Sequence, residues 1–376
     1  TGDLIVGDAS SSVDGDDFLV DTLSQLRMDG GILDIDIPSG NTAMFKSDLV
    51  TKSGTLKFSG AGEHHFRKNI NTVGGTLSFD PTSGNNTLYL EGTNTNLSGT
   101  GGTLYIDSNM NVVIGNGSTS TYTLNRTLPI ISNLSLAANT TLVSNSPTSS
   151  SVTDLRSWTP YLQLKTRDVP NSSVQGQLLE VPTGANGASI TGGALFEIYN
   201  NKQRAYRAFG IPLKNGTIIP QFTDDIDVTG TVTGTNANLF TTTCSWCTHS
   251  LFSWDEANSQ WSPYASGSTI TNIPVGTGIL TFFRGARGNG LGDTTKVANE
   301  QVLDFKGDLQ VGSKTVTLSN SASGSLGGYN LIGNPFPCTI DLREVFESNN
   351  NNILSRFYIY DAIARRYNEW DSTGGG

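Results

Sequence analysis

A short glycine-led segment with alternating apolar residues occurs four times in the first third of the chain. Its glycine lies at positions 31, 54, 75 and 102, so successive copies are 23, 21 and 27 residues apart. The alternation predicts a strand with one buried face, and glycine permits the positive φ of a corner. This step length indicates a β-solenoid, in which each coil buries its apolar face only against the next. The four segments are Gly30–Ile35, Ser53–Phe58, Gly74–Phe79 and Gly101–Ile106.

The repeat sets the expected fold class, which is all-β. Residues 1–146 are expected to form solenoid repeats, as a right-handed parallel β-helix serving as a stalk; the alternative is a β-sandwich with similar glycine turns. Residues 147–155 are rich in Ser, Thr, Pro and Asn, which predicts a linker. Residues 156–376 contain all five tryptophans and several strand-like runs. They predict an antiparallel, β-sandwich-like domain.

This second domain shows an internal duplication. Tyr206–Pro212 matches Tyr329–Pro335, and a pair of aromatic residues seven positions apart flanks a hairpin turn twice. The related halves are about 195–320 and 321–376. The second half is incomplete, because the counterpart of the strand Ile279–Phe283 is missing, and we expect the native chain to continue for at least one more strand. The aromatic pairs are Trp254 with Trp261 and Tyr360 with Tyr367.

The aromatic pairs have two interpretations. They are a candidate platform on which a sugar ring stacks, or they are cross-strand pairs that fix the register of each hairpin. The second interpretation is favoured because the same residue types recur in a structural repeat.

Composition excludes several classes. Charged residues make up 15% of the chain, and the net charge is −10. A nucleic-acid partner is not expected, because it would require a basic stripe. No apolar run approaches the ~18 residues of a transmembrane helix, so no membrane-spanning segment is expected. Abundant Gly, Ser, Thr and Asn argue against helical bundles and doubly wound enzymes.

The cysteines and acidic residues provide few candidate sites. Cys244 and Cys247 are a candidate disulfide, with Cys338 unpaired; free thiols, a redox pair or a metal site remain alternatives. No cofactor is expected. A weak calcium candidate is formed by carboxylates near the start of the chain, but the full spacing of a calcium loop is missing. Those carboxylates are Asp14, Asp16 and Asp17.

The densest ionisable group in the first half is Glu63-His64-His65. Adjacent strand residues point to opposite faces, so the two histidines cannot share one metal ion. We expect both to lie in an exposed loop. No catalytic triplet of carboxylates or of basic residues beside carboxylates is recognisable, so the chain is not expected to be an enzyme.

Residues Gly328–Pro337 read G-Y-N-L-I-G-N-P-F-P. This element resembles one found near the C-terminal part of large surface proteins exported by the type IX secretion system. In those proteins it follows segments like Pro274–Phe282 and Phe305–Gly312, which occur here in the same order. The resemblance covers about residues 195–370.

The resemblance implies an extracellular location or one on the bacterial cell surface. It implies the type IX translocon and its shuttle as partners during export, and other surface proteins or glycans afterwards. Such proteins are often O-glycosylated where Asp precedes Ser or Thr; the candidates are Thr22, Thr294 and Ser372. The expected function is that of a non-catalytic adhesin, stalk or surface-filament component. The alternative is a polysaccharide-binding module or a polysaccharide-degrading β-helix enzyme.

Overall fold

The computed structural model describes eleven stretches of the chain, and it divides them into two units. One unit comprises Thr1–Glu197 with Lys306–Gly312, and the other comprises Ile198–Phe305 with Ser313–Gly376. The described residues are 18–20, 25–81, 86–146, 159–166, 175–216, 219–230, 242–243, 248–264, 272–288, 298–321 and 326–371.

The first unit is a parallel β-solenoid, as the repeat predicts. One face is a seven-stranded parallel sheet whose strands follow each other in chain order. They are β1 (Phe18–Val20), β3 (Thr42–Phe45), β5 (Glu63–Phe66), β8 (Asn86–Leu90), β11 (Met110–Ile114), β14 (Asn133–Leu136) and β17 (Gln177–Leu178).

A second sheet of nine strands contains the glycine corners. Two of its strands, β2 (Gln25–Ile37) and β4 (Asp48–Gly60), are long enough to continue through a corner. The first part of β4 pairs with β6 (Ile70–Thr72), and the second part pairs with β7 (Thr76–Phe79). The remaining strands are β9 (Thr95–Ser98), β10 (Thr103–Ile106), β12 (Ser120–Leu124), β15 (Thr140–Ser144) and β18 (Ser189–Thr191).

The four repeats stack in the register that their sequences predict. Ile32 lies opposite Thr55, Thr55 opposite Thr76, and Thr76 opposite Thr103. The glycine before each of these residues has a φ between 68° and 77°. A Cβ atom at Gly102 would lie 2.7 Å from the carbonyl oxygen of the preceding coil's corner. Glycine is therefore required both by the backbone conformation and by the close stacking of the coils.

Apolar side chains fill the solenoid, and near its start they form two aromatic stacks. Phe45 stacks on Phe66 with ring centroids 4.6 Å apart, and Phe58 stacks on Phe79 at 5.0 Å. Phe58 also meets Phe66 edge to face at 5.4 Å. Burying each such side chain is worth about 1.5–3 kcal/mol. Each coil thus obtains its core by packing on its neighbours.

The predicted boundary at residue 146 is wrong. Strand β16 (Leu162–Leu164) pairs in parallel with β13 (Leu128–Ile130), and β19 (Ala194–Asn200) pairs in parallel with β16. Parallel pairing to β14 and β15 continues in the same way through β17 and β18. The solenoid unit therefore extends to Glu197, because coil stacking continues beyond the polar segment. The predicted linker 147–155 lies outside the described residues.

The second unit contains the antiparallel sheets. A four-stranded sheet has the order β20 (Ala205–Phe209), β25 (Ile279–Phe283), β23 (Leu251–Asp255), β24 (Gln260–Pro263). A separate hairpin joins β27 (Arg356–Asp361) to β28 (Arg366–Asp371). The other elements are β21 (Thr229–Gly230), β22 (Thr242–Thr243), most of β26 (Gln301–Gly307), and the helices α1 (Pro220–Thr223) and α2 (Leu342–Glu347).

The two hairpins have the same geometry, which supports the duplication. Trp254 lies opposite Trp261, and Tyr360 lies opposite Tyr367. Each turn has four residues, and its last residue has a positive φ: 52° at Ser259 in the first copy and 53° in the second. In both copies the aspartate before the turn accepts hydrogen bonds from turn amides. The predicted cross-strand aromatic pairing is confirmed.

Candidate functional site

The candidate site is a cluster of polar side chains on the outer face of β5 and β8. These neighbouring parallel strands place His65 opposite Tyr89. Alternation along β5 points Glu63 and His65 outward, and alternation along β8 points Tyr89 outward. Arg67 and Glu91 follow directly after the two strands. The cluster therefore combines residues from two coils that are 22 to 28 positions apart in the sequence.

His65 is the centre of the cluster. Its Nδ1 lies 2.9 Å from Glu91 Oε1, and its Nε2 lies 3.3 Å from Glu63 Oε2. The imidazole stacks on the Tyr89 ring, with centroids 4.1 Å apart and planes 11° from parallel. Arg67 Nε donates to Glu91 Oε2 at 3.1 Å, and the Tyr89 hydroxyl donates to Glu63 Oε1 at 3.2 Å. Every ionisable group in the cluster therefore contacts another member.

The electrostatics of the cluster limit its chemistry. Partial burial, followed by the nearby Glu63 carboxylate, raises the pKa of the Tyr89 hydroxyl. The Tyr89 phenol is therefore protonated at neutral pH, as an ordinary tyrosine is, and donates its hydrogen bond to Glu63. The two carboxylates contact opposite nitrogens of His65, so they cannot bind one metal ion together with a single ring nitrogen. Among the described residues, no group of three or more His, Cys, Asp or Glu side chains is arranged to hold a metal.

His64 corrects one sequence prediction. The expectation that His64 and His65 lie in an exposed loop is wrong, because both belong to strand β5. Alternation turns His64 inward, where it is fully buried beside Phe58 and Phe79, with ring centroids 5.4 and 6.4 Å away. Burial, with a smaller contribution from His65, lowers the pKa of His64 to about 4. The prediction that the two rings face opposite sides is confirmed.

The aromatic pairs of the hairpins lie on the surface of the second unit. Trp254 and Trp261 meet at 5.3 Å with planes 72° apart, and Tyr360 and Tyr367 meet at 5.2 Å and 58°. Trp254 is also engaged elsewhere, since its indole N–H donates to the Tyr329 carbonyl at 2.7 Å. Tyr367 is 54% exposed. Neither pair is flat, so a sugar could stack on one ring of a pair but not across both.

The ten-residue element, Gly328–Pro337, is held by its own polar side chains. The Asn330 amide oxygen accepts from the Ser319 amide at 3.0 Å, and its nitrogen donates to the carbonyls of Ser319 and Gly328, both at 2.9 Å. The Asn334 oxygen accepts from the amide of Phe336 at 3.0 Å, and its nitrogen donates to the carbonyl of Cys338 at 2.6 Å. The two asparagines therefore fix the path of the backbone.

The first hairpin is attached to this element by a carboxylate. Glu256, the first residue of the hairpin turn, is 6% exposed. Its Oε1 accepts from the amides of Gly328 at 2.6 Å and Ser321 at 2.8 Å. These hydrogen bonds, with that from Gly328 the largest, lower the pKa of Glu256. Glu256 thus acts as a structural acceptor for the element.

The two copies of the duplication contact each other at equivalent glycines. A Cβ atom at Gly210 would lie 2.5 Å from the Gly333 Cα, and one at Gly333 would lie 2.6 Å from the Gly210 Cα. Beside this contact, the Gly333 amide donates to the Gly276 carbonyl at 3.0 Å. The tip of the second hairpin meets the first copy in turn, because Gln203 Nε2 donates to the Ile363 carbonyl at 3.0 Å. The glycines of the repeated motif are therefore required for packing between the copies.

Several predicted sites lie outside the described residues. They include the candidate disulfide of Cys244 and Cys247. The third cysteine, Cys338, is among the described residues and is a free, half-buried thiol. Burial raises the pKa of the Cys338 thiol. The other sites outside the described residues are the candidate calcium ligands Asp14, Asp16 and Asp17 and the candidate O-glycosylation sites Thr22, Thr294 and Ser372.

The chain matches no protein-family model, no curated protein and no solved structure. Among the described residues, no helix is both long and apolar enough to span a membrane.

Proposed function

We propose that this chain is a non-catalytic part of a secreted or cell-surface protein, and that it comprises a solenoid stalk and an antiparallel β-domain. The parallel solenoid supports this role, since each coil packs its core on the next and a stack of coils can extend as a rigid rod. The resemblance of Gly328–Pro337 to surface proteins exported by type IX secretion supports a location on the bacterial cell surface. Its partners are then the translocon and shuttle during export, and surface proteins or glycans afterwards.

The observation that carries the non-catalytic assignment is the mutual pairing in the His65 cluster. A general acid or base must exchange a proton with the substrate, and pairing within the cluster competes with that contact. Here both carboxylates are held by His65, and each also contacts Arg67 or Tyr89. Glu256, the carboxylate at the ten-residue element, accepts backbone amides. The ionisable groups of both regions thus hold the fold together.

A polysaccharide-active protein is the second candidate, favoured not by the pairing within the cluster but by the types of side chain that the cluster brings together. Glu63, Glu91, His65 and Tyr89 bring two carboxylates, an imidazole and a phenol ring together on the outer face of the solenoid. An enzyme of this class would use such groups against a sugar chain. The cluster is the place where this alternative can be tested.

Turnover of polysaccharides separates the two candidates. The purified chain is incubated with neutral and acidic polysaccharides, and reducing ends and the ultraviolet absorbance of unsaturated products are followed. A non-catalytic chain gives no turnover, whether or not a glycan binds. Turnover that disappears in His65→Ala and Glu91→Gln, but persists in the outer-face control Ser135→Ala, would establish the enzyme instead. Melting curves of all three variants show whether each remains folded.

A further inference from the structure

A polar groove lies on the outer face of the solenoid, in the nine-stranded sheet. It has a volume of about 230 Å³ and is lined by residues of β2, β4, β6 and β9 and of the turn before β6. Six of the eight residues that line it are polar, and none of the eight carries a positive charge. The polar residues are Gln25, Asp48, Asn69, Asn71, Asn96 and Ser98.

Coil stacking arranges the polar side chains of the groove in two columns. Alternation turns Asn71 outward on β6, and it turns Asn96 and Ser98 outward on β9. Asn71 lies opposite Ser98 in the parallel register, which gives one column. Asp48, Asn69 and Asn96 form the other column, because hydrogen bonds join each of them to the next. Each column therefore presents one polar side chain per coil.

The carboxylate of the groove is held in place through one oxygen. Asp48 Oδ1 accepts from the Asn69 backbone amide at 3.0 Å and from Asn69 Nδ2 at 3.1 Å. Asn69 Oδ1 in turn accepts from the Asn96 backbone amide at 3.0 Å. Within the described part of the chain, no donor contacts the other carboxylate oxygen, Asp48 Oδ2. This oxygen is available to accept a hydrogen bond from a ligand.

Three further side chains of the groove have hydrogen-bonding capacity to offer. The side chains of Asn71, Asn96 and Ser98 are half-buried and have no hydrogen-bond partner among the residues that the structure describes. Amide groups and a hydroxyl both donate and accept hydrogen bonds. A concave surface with a few convergent polar groups is typical of a ligand site.

This combination of groups indicates the class of ligand. An anionic ligand would be repelled by Asp48, and no positively charged residue lines the groove to offset that repulsion. A metal ion would bind oxygen atoms only and would leave the amide donors unpaired. Sugar hydroxyls both donate and accept, so they can pair with the carboxylate, the amides and the hydroxyl together.

We propose that the groove binds a neutral polysaccharide, whose hydroxyls pair with Asp48 Oδ2 and with the side chains of Asn71 and Ser98. Neighbouring coils are about 4.8 Å apart, so a sugar chain that lies along the solenoid axis meets polar groups at each coil. The proposal rests on the proposed function, since it names the class of glycan that the stalk binds. The groove and the His65 cluster lie in different sheets of the solenoid.

Isothermal titration calorimetry of the full chain tests the proposal. The probes are the neutral hexasaccharides of glucose, mannose and xylose, and the acidic hexasaccharide of galacturonic acid is the control. We expect saturable binding of at least one neutral probe and no binding of the acidic one. Asn71→Ala and Ser98→Ala should each weaken this binding about three- to tenfold, because each removes one hydrogen-bonding group from the groove. The matched control Ser135→Ala, on the outer face of the seven-stranded sheet, should bind like the wild type.

Several results would overturn the proposal. They are no binding of any neutral probe, preferential binding of the acidic probe, or wild-type affinity in Asn71→Ala and Ser98→Ala when melting curves show that both are folded. Saturable Ca²⁺ binding that is lost in Asp48→Asn, without binding of sugar, would overturn it in favour of a cation site. These failures leave the location of the protein on cells unaffected. Conversely, turnover of a polysaccharide would contradict the non-catalytic role without abolishing binding in the groove.

Discussion

Replacing Gly333 by alanine tests whether the contact between the two copies organises the second unit. The added Cβ would lie 2.6 Å from the Gly210 Cα and 2.7 Å from the Thr277 carbonyl oxygen. Carbon atoms in contact normally lie about 3.5–4.0 Å apart, so a backbone must move by roughly 1 Å. The neighbouring backbone is itself held, since the Gly333 amide donates to the Gly276 carbonyl. The substitution therefore cannot be absorbed by a side-chain rotation.

The expected cost follows from this geometry. Overpacking a well-packed region costs about 1–3 kcal/mol. Because both contacts of the added Cβ are with backbone atoms, we expect Gly333→Ala to cost ~3 kcal/mol, at the upper end of this range. For a unit of this size, ~3 kcal/mol corresponds to a melting midpoint about 6–12 °C lower. Calorimetry of the full chain should show this shift in one transition, with the solenoid transition unchanged.

Gly288→Ala is the matched control. Gly288 has a φ of 79°, but a Cβ atom there would meet nothing within 4 Å. The substitution should lower the free energy of unfolding by only about 1 kcal/mol, which is the cost of placing alanine at a positive φ. If Gly333→Ala melts at the wild-type temperature, or no lower than Gly288→Ala, the close contact between the copies does not exist as described.

Three further predictions concern titration and thiols. Burial lowers the pKa of His64 to about 4, so the unfolded chain binds a proton at this side chain more readily than the folded chain does. The free energy of unfolding should therefore fall as the pH is lowered from about 6.5 towards 4, by a total of ~3 kcal/mol. His64→Leu should therefore raise the urea midpoint more at about pH 5 than at neutral pH; an equal effect at both would contradict the burial. Since the pKa of Glu256 is lowered, its contribution is present at neutral pH and lost on acidification. Glu256→Gln should lower the melting midpoint at neutral pH, and the difference between the midpoints of wild type and variant should narrow in acid. A difference that is the same at both pH values would argue against the amide contacts. Thiol titration of the denatured, unreduced chain should find one thiol, Cys338, if Cys244 and Cys247 are bridged, whereas three thiols would refute the disulfide.

Local periodicity predicted the solenoid because the strands are short-range features that repeat. The glycine at each corner and the alternation after it identified both the strand and its register, so that Ile32, Thr55 and Thr76 align as expected. The boundary was missed because composition was used as the criterion. A polar segment at 147–155 does not end a solenoid when later strands, such as Leu162–Leu164, still pair with an earlier coil.

The candidate site was harder to predict, because it depends on the number of residues in each coil. That His65 lies opposite Tyr89 can be inferred only once the number of residues between the two strands is known, and this number varies along the chain. Alternation did show that His64 and His65 face opposite ways. The signal that assigns His64 to the core face is the apolar Phe66 two positions later, because residues two apart on a strand share a face. Similarly, the duplicated motif identified Gly210 and Gly333 as equivalent, but not that they touch.

Protease treatment of intact cells tests the proposed function most directly. Cells that produce the native protein are treated with protease, with and without an inactivated type IX translocon, and the protein is followed by immunoblot. We expect the protein to be degraded on intact cells with a working translocon and to accumulate in protected form without one. A protein that stays protected in intact cells with a working translocon would contradict the assignment to the cell surface.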